Sequence, residues 1–304
     1  MVQQGYSRID EIPTGRAPQS IIPGAIVLEG GAWRVIYTQG ALDALMQAGI
    51  NFQTTIGVSG GAMSGICYVA GDIGAAAKLN LTYRHDSNYC GLGAMRHDHG
   101  ITGFSYFFDV LAPATDIDWE RFGNPARSFY VSATDCRTGK LKFFEKNDGG
   151  DFCKAIQASA TVPYISAPVE IDGIPYLDGG PTCHIPYQKA LDLGFGKIMV
   201  IRTRDRRWQP ADLGDSTSRL INLLYEKTYP EFAETLRTNY PRYKADLDRL
   251  DKLEADGRIF VLAPSQPITI SRFEGNVERL GEFYWLGYRD MACELDRLCD
   301  YLLA

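Results

Sequence analysis

The opening of the chain alternates between strand-like and helix-like patterns, which strongly limits the folds open to it. Residues 25–29 form a short apolar run that ends in two glycines, as expected for a buried strand. Over 38–48 the apolar residues recur on one helical face, and a glycine follows where a helix commonly ends. The same pair of patterns returns at 54–58 and 60–70. Such a βαβα opening predicts an α/β fold with a largely parallel sheet and ligands at the carboxyl ends of its strands.

Further strand patterns follow later in the chain. Residues 128–135 and 140–145 alternate around a short turn and predict a hairpin-like pair. Apolar runs beginning at residues 197 and 258 predict two more strands. The sheet is therefore predicted to be mixed, with most of its strands parallel.

No repeat, low-complexity run or linker divides the sequence. We therefore predict an N-terminal extension over 1–23 and a single α/β domain over 24–304. Within this domain the informative motifs fall in 24–204. Apolar residues at helical spacing predict that the C-terminal part, 205–304, is helical.

Charge and hydropathy exclude several classes of protein. The net charge of −6 argues against nucleic-acid binding, because phosphate recognition needs a concentrated basic surface. The first twenty residues are polar and do not resemble a secretory signal. No stretch reaches the roughly 18 unbroken apolar residues of a membrane span. We therefore expect a cytoplasmic protein without a transmembrane segment.

The sharpest chemical signal is Gly-Val-Ser-Gly-Gly at 57–61, which fits G-x-S-x-G after a strand and before a helix. In that context a sharp turn lifts the hydroxyl of Ser59 out of the sheet, and the glycines permit the turn. The N-terminus of the following helix favours the oxyanion formed during acyl transfer. Ser59 is thus a candidate nucleophile; the alternative is a glycine-rich packing turn.

A second candidate is Asp178, which follows an apolar run and precedes two glycines. An ionised carboxylate at a strand end can accept the proton of a nearby serine. Taken by itself the segment is weak evidence, because Asp-Gly-Gly turns are common in loops.

The third segment, at 29–34, follows the first strand with small residues and a basic one. The amides of Gly30, Gly31 and Ala32 are suited to an oxyanion hole, and Arg34 to an anion such as a lipid phosphate. The alternative for Arg34 is a plain surface charge. Nucleotide-binding glycine motifs are absent from the sequence, so no cofactor is predicted.

Together these segments resemble the patatin-like phospholipase family of bacterial type, over residues 24–204. The resemblance implies a three-layer α/β/α fold and an acyl hydrolase in which Ser59 is the nucleophile and Asp178 its direct base. It also implies a lipid or lysolipid ester as substrate, met at a membrane surface or as a monomer. The sequence departs from the family pattern where Ala32 replaces a glycine and where Val35 follows Arg34.

Two alternatives for the function remain open. His184 follows Ser59 and Asp178 in the chain order of a Ser-Asp-His esterase. It lies so close to Asp178 in sequence that a short loop would have to fold the imidazole back between serine and carboxylate. The second alternative is a catalytically silent protein that binds lipid or regulates a partner.

The segment 83–111 is rich in aromatic residues and glycine, including Phe107 and Phe108. We expect it to form a cap over an acyl-chain cavity. His97, Asp98 and His99 lie within it, but adjacent loop residues rarely converge on an ion, so no metal site is predicted.

Overall fold

The structure is a computed structural model that describes residues 5–211 and 213–304. Numbered in chain order, its strands are β1 (Gly15–Arg16), β2 (Ile22–Leu28), β3 (Phe52–Val58), β4 (Asp72–Ile73), β5 (Ser128–Asp135), β6 (Leu141–Glu145), β7 (Val169–Ile171), β8 (Ile174–Asp178), β9 (Ile198–Ile201) and β10 (Phe260–Leu262).

Its α-helices are α1 (Ile36–Gln47), α2 (Gly60–Ala70), α3 (Ala75–Tyr83), α4 (Leu92–His97), α5 (Phe104–Tyr106), α6 (Ala112–Ala114), α7 (Trp119–Phe122), α8 (Phe152–Ser159), α9 (Tyr187–Asp192), α10 (Asp215–Leu224), α11 (Pro230–Arg237), α12 (Asn239–Ala255) and α13 (Val277–Leu303). A π-helical turn, Phe107–Leu111, joins α5 to α6, and short 3₁₀ turns lie at Ile9–Glu11 and Ala32–Val35.

Eight strands form one mixed sheet in the order β10-β9-β2-β3-β5-β8-β7, with β6 also paired to β5. Adjacent strands are parallel from β10 through β9, β2 and β3 to β5. Three pairs are antiparallel: β5 with β6, β5 with β8, and β8 with β7. The predicted mixed, mainly parallel sheet is therefore confirmed.

Helices cover both faces of the sheet because the strands are apolar on both sides. In β2, Ile26 and Leu28 belong to a core cluster with α1 and α13, while Ala25 and Val27 belong to another cluster with α9 and α12. Near-continuous apolar strands are typical of a parallel sheet buried between helical layers. The structure thus has the three-layer α/β/α arrangement.

The C-terminal helix α13 docks closely on α1. A side chain at Gly40 or Gly287 would overlap the backbone of the opposite helix, so these glycines permit the close crossing. Within the same interface the Tyr284 hydroxyl donates to the buried Asp43 carboxylate at 2.8 Å. The C-terminal part of the chain is therefore built into the core of the fold.

The predicted C-terminal part also contributes a strand, because β10 pairs with β9 and extends the sheet. The helices α10, α11, α12 and α13 also belong to that part. In the predicted extension, Tyr6 and Ile12 are buried in the core cluster around α1 and α13. The division into 1–23 and 24–304 stays a prediction.

Among the described residues, no helix combines the length and the hydropathy needed to cross a membrane.

Candidate active site

Strand register brings Ser59 and Asp178 to the same place. Val58, the last residue of β3, pairs with Ser132 of β5, and the next β5 residue, Ala133, pairs with Asp178. A residue in a sheet can pair with one strand on each side. At Ser132 and Ala133 of β5, one of these sides is occupied by β6. The strands β3 and β8 therefore meet end to end on one edge of β5. The two candidate residues lie at their meeting point.

The turn at Ser59 has the geometry that its motif predicts. Ser59 has φ +57° and ψ −131°, a conformation that a residue with a side chain rarely adopts. A Cβ at Gly57 would overlap the backbone of Ala62, and one at Gly61 would overlap the backbone of Leu28. The motif glycines thus allow β3 to turn sharply into α2, with the serine held at the helix N-terminus.

Ser59 and Asp178 are in direct contact. The Ser59 Oγ donates to Asp178 Oδ2 at 2.6 Å, and the Gly180 N–H donates to Asp178 Oδ1 at 2.7 Å. Burial raises the pKa of Asp178 to about 6, while these hydrogen bonds and the positive charge of Arg272 oppose the rise. At neutral pH the carboxylate is therefore ionised and poised to accept a proton.

His184 does not lie between the two. Its Nε2 is hydrogen-bonded to Asn239 Oδ1 at 2.9 Å, and its ring stacks on Tyr243 with centroids 4.0 Å apart. Burial lowers the pKa of His184 to about 3, and neighbouring arginine charges lower it further. The imidazole is thus neutral and held away from the hydrogen bond between Ser59 and Asp178. This geometry gives the Ser-Asp-His alternative no support.

The loop after β2 contains the predicted oxyanion donors. The Gly30 N–H donates to the His184 carbonyl at 3.4 Å, a long hydrogen bond. Within 5–211 and 213–304, the N–H groups of Gly31 and Ala32 make no hydrogen bond. Ala32 has φ +49°, so the residue that replaces the family's glycine adopts a glycine-like backbone conformation. Of the three predicted donors, Gly31 and Ala32 are therefore the two whose N–H groups remain unengaged among the described residues.

A buried carboxylate fixes this loop from behind. Glu29 accepts hydrogen bonds from the N–H and the hydroxyl of Thr203 and from the hydroxyl of Tyr243. The Thr203 hydroxyl also lies 2.8 Å from the carbonyl oxygen of Gly30. Sequence analysis missed this anchor, because Thr203 and Tyr243 lie far along the chain from the loop they hold.

Two cavities of different character meet at Ser59. Four residues line both of them: Ala32, Ser59, Val162 and Phe273. One cavity, of about 100 Å³, is lined mainly by apolar side chains, and we call it the apolar cavity. The other, of about 230 Å³, is lined by three arginines together with polar and apolar side chains, and we call it the cationic cavity. The serine hydroxyl thus lies between an apolar cavity and one that contains three arginines.

The segment 83–111, the predicted cap, forms one wall of the apolar cavity. Phe104 and Phe107 line the cavity, and Phe108 packs edge-on against Phe107 with ring centroids 4.9 Å apart. Met63 of α2 and Ser59 also line this cavity. No group of three or more potential metal ligands is assembled in the part of the chain that the structure describes.

The cationic cavity is lined by Arg34 together with Arg204 and Arg272. Arg34 is only 4% exposed, so the alternative of a plain surface charge is wrong. Burial lowers the pKa of Arg34 to about 9, and the charges of Arg204 and Arg272 lower it further. Glu29, the nearby acid, partly opposes these effects.

Comparison with known proteins agrees with this arrangement. The family model for patatin-like phospholipases matches residues 26–190, more than half of the chain. The chain belongs to the patatin-like phospholipase family. A second model, for a domain of unknown function (DUF6363), matches residues 229–303 of this patatin-like protein.

Individual relatives of this patatin-like protein can also be named. The uncharacterized protein YjjU of Escherichia coli strain K12 is 27% identical, over 92% of this chain and 77% of that protein. Among solved structures, VipD from Legionella pneumophila has a TM-score of 0.47 at 14% identity, covering 93% of this chain and 68% of that one. The type III effector protein ExoU has a TM-score of 0.41 at 13% identity, covering 96% and 55%.

Sequence analysis also missed Arg204 and Arg272, which line the cationic cavity. For Arg204 a signal existed, since it follows β9 at the carboxyl end of a strand beside β2, where ligands of α/β proteins bind. Arg272 lies between β10 and α13 in a segment without regular structure. No local pattern in the sequence distinguishes Arg272 from a surface charge.

Proposed function

We propose that this protein is a lipid acyl hydrolase of the phospholipase A or lysophospholipase type, with Ser59 as nucleophile and Asp178 as its base. One observation carries the proposal: the 2.6 Å hydrogen bond from Ser59 Oγ to Asp178 Oδ2 lies where an apolar and a cationic cavity meet. Membership of the patatin-like phospholipase family supports lipid hydrolysis in general.

The reaction would proceed through an acyl-enzyme. Asp178 accepts the Ser59 proton as Oγ attacks the ester carbonyl, and it returns that proton to the departing alcohol or lysolipid oxygen. Water then gives a proton to Asp178 as it attacks the acyl carbonyl. Asp178 returns that proton to Ser59 Oγ as the bond between Oγ and the acyl carbon breaks and the fatty acid leaves.

The oxyanion formed in each half-reaction would be stabilised by backbone donors. The N–H groups of Gly31 and Ala32 are available for it, and the positive end of the α2 dipole adds to their effect. The Gly30 amide can join them only by leaving its long hydrogen bond to His184.

The two cavities suggest how a lipid ester would be oriented. An acyl chain gains most from leaving water, so it would occupy the apolar cavity between α2 and the segment 83–111. The leaving group would then lie in the cationic cavity, where Arg34 can attract an anionic headgroup.

Contact with a lipid surface would be made next to the apolar cavity. Leu92 and Met95 of α4 are 72% and 46% exposed, and α4 lies within the segment that walls this cavity. Replacing both with Asp should lower hydrolysis of vesicle lipid more than hydrolysis of the same lipid in detergent micelles. Equal effects in the two assays would count against a membrane contact here.

The proposal is tested by labelling with a fluorophosphonate probe, which reacts with an activated serine. We expect covalent labelling of the wild-type protein that disappears in Ser59→Ala. Ser218→Ala, on the partly exposed helix α10, is a control that should label normally. A folded wild-type protein that does not label would instead support a catalytically silent, lipid-binding protein.

A further inference from the structure

The cationic cavity brings together arginines from three distant parts of the chain. Arg34 lies in the loop after β2, Arg204 follows β9, and Arg272 lies between β10 and α13. The Nε of Arg34 is buried without a hydrogen-bond partner. Within the described ranges, none of the three guanidinium groups makes an ion pair. The cavity thus gathers positive charge, with Arg34 buried, Arg204 half-buried and Arg272 exposed to solvent, and this charge favours an anionic ligand.

Neighbouring groups hold two of these arginines in place. The Arg204 guanidinium lies over the ring of Trp208, 4.5 Å from its centroid. The backbone carbonyl of Arg272 accepts the N–H of Trp33 at 3.2 Å, which attaches this segment to the oxyanion loop. The charge of Arg272 also lowers the pKa of Asp178, so the cation lies within electrostatic reach of the dyad.

One other carboxylate lies near the cavity, that of Glu29, which is not part of the lining and only partly offsets the charge of Arg34. It is 1% exposed and already accepts hydrogen bonds from Thr203 and Tyr243. His184 is neutral, and Asn239 is engaged with it. A ligand cation such as choline would find no free carboxylate in the described lining apart from Asp178, which serves the dyad. The cavity therefore favours an anion without a compensating cation.

We propose that Arg34, Arg204 and Arg272 form one binding site for a phosphate monoester on the leaving group of the scissile ester. This inference rests on the proposed acyl hydrolase function and names its substrate class: acyl esters of a glycerol phosphate, such as lysophosphatidate. Guanidinium groups suit phosphate because each can give it two parallel hydrogen bonds, and three of them match a doubly charged group.

The proposed site also suggests a role for the C-terminal region, 229–303, which matches the domain of unknown function. Arg272 comes from that region, as do further residues lining the cavity, namely Leu236, Asn239, Tyr240, Tyr243 and Phe273. The patatin-matched region supplies the dyad, whereas this region supplies much of the wall around the leaving group. The C-terminal region would therefore share recognition of the leaving group with Arg34 and Arg204, which lie outside it.

The experiment compares esters with the same oleoyl chain in the same neutral detergent micelles: lysophosphatidate, lysophosphatidylcholine and monooleoylglycerol. For the wild type we expect kcat/KM to be highest for lysophosphatidate by about tenfold. Arg272→Gln and Arg204→Gln should each reduce this preference by about tenfold. Arg207→Gln, an exposed arginine outside the cavity, is the matched control and should leave the preference unchanged.

A wild type that hydrolyses all three esters equally, or variants that slow all three equally, would overturn the phosphate site while leaving the hydrolase function intact.

A direct binding measurement distinguishes failure of the phosphate site from failure of the hydrolase function. Calorimetry with glycerol 3-phosphate on Ser59→Ala should detect binding that the additional change Arg272→Gln abolishes. Absence of binding there would overturn the site whatever the activity, and binding would support it even if no ester is cleaved. Because this ligand is soluble, the result also distinguishes the cavity from attraction to a charged micelle.

Discussion

The two cavities that meet at Ser59 are built from different parts of the chain. The apolar cavity is formed mainly by helices α2 and α3 and the segment 83–111, all within the patatin-matched region. The cationic cavity takes much of its lining from residues beyond 200. In the proposed function, chemistry and acyl binding would lie in one part of the sequence, while leaving-group recognition would depend partly on another. Substrate preference could then change with the C-terminal region while Ser59 and Asp178 are retained.

The largest effect is expected from the dyad, which serves both cavities. Asp178→Asn removes the base and should lower kcat/KM by about 10³-fold for charged and neutral esters alike. Asp172→Asn, an exposed aspartate in the turn between β7 and β8, is the control and should have no effect. Loss of activity on only one class of ester would show that Asp178 acts in substrate binding and is not a general base.

A smaller effect on kcat/KM is expected from a substitution that fills the apolar cavity and leaves the cationic one unchanged. Met63→Trp fills part of the apolar cavity, so kcat/KM for long-chain esters should fall by about tenfold and that for short-chain esters much less. The control is Leu223→Trp, at a residue that is 80% exposed on α10 and outside the lining. A chain-length series assayed on both variants checks this; parallel losses at all lengths would contradict the assignment.

Ala32 lines both cavities, so changing it should not favour either one. Its φ of +49° is unfavourable for a residue with a Cβ, and Ala32→Gly should raise the free energy of unfolding by about 1 kcal/mol. Chemical denaturation measures that change. Any change in activity should be the same for lysophosphatidate and monooleoylglycerol, and a selective change would place Ala32 in only one cavity.

The smallest effect is expected from the charge of Arg272, which lines the cationic cavity and lowers the pKa of Asp178. Because Asp178 must be ionised to act, kcat/KM on a neutral ester should rise with pH and reach half its maximum near the pKa of about 6. Arg272 lowers that pKa, so Arg272→Gln should move the midpoint to higher pH. A midpoint that stays fixed or moves to lower pH would show that Arg272 does not act on the dyad.

The sequence was most informative where neighbouring residues carry the signal. The βαβα opening predicted β2, α1, β3 and α2, and the strand-to-helix turn at Ser59 has the strained geometry that its motif requires. Asp178 could be paired with Ser59 only through a family resemblance. The reason for their contact is the end-to-end meeting of β3 and β8 on β5, which no single segment reveals.

The rest of the site depends on long-range packing. Tyr243 reaches Glu29 from α12 across 214 positions, and Arg272 reaches the cavity from an irregular segment. Charged residues on amphipathic helices and in loops are ordinarily solvated, so their sequence context gave no reason to place them in the site. The β-strand inside the predicted helical part, β10, is short, and it becomes part of the sheet by pairing with β9.

The most direct test of the Ser59–Asp178 dyad is to trap the acyl-enzyme. Wild-type protein is mixed with an excess of oleoyl ester, quenched in acid within the first turnovers, digested and analysed by mass spectrometry. We expect an oleoyl group on the peptide that contains Ser59, and no such adduct in Asp178→Asn over the same time. Turnover without an adduct at Ser59, or an adduct on another residue, would contradict the account.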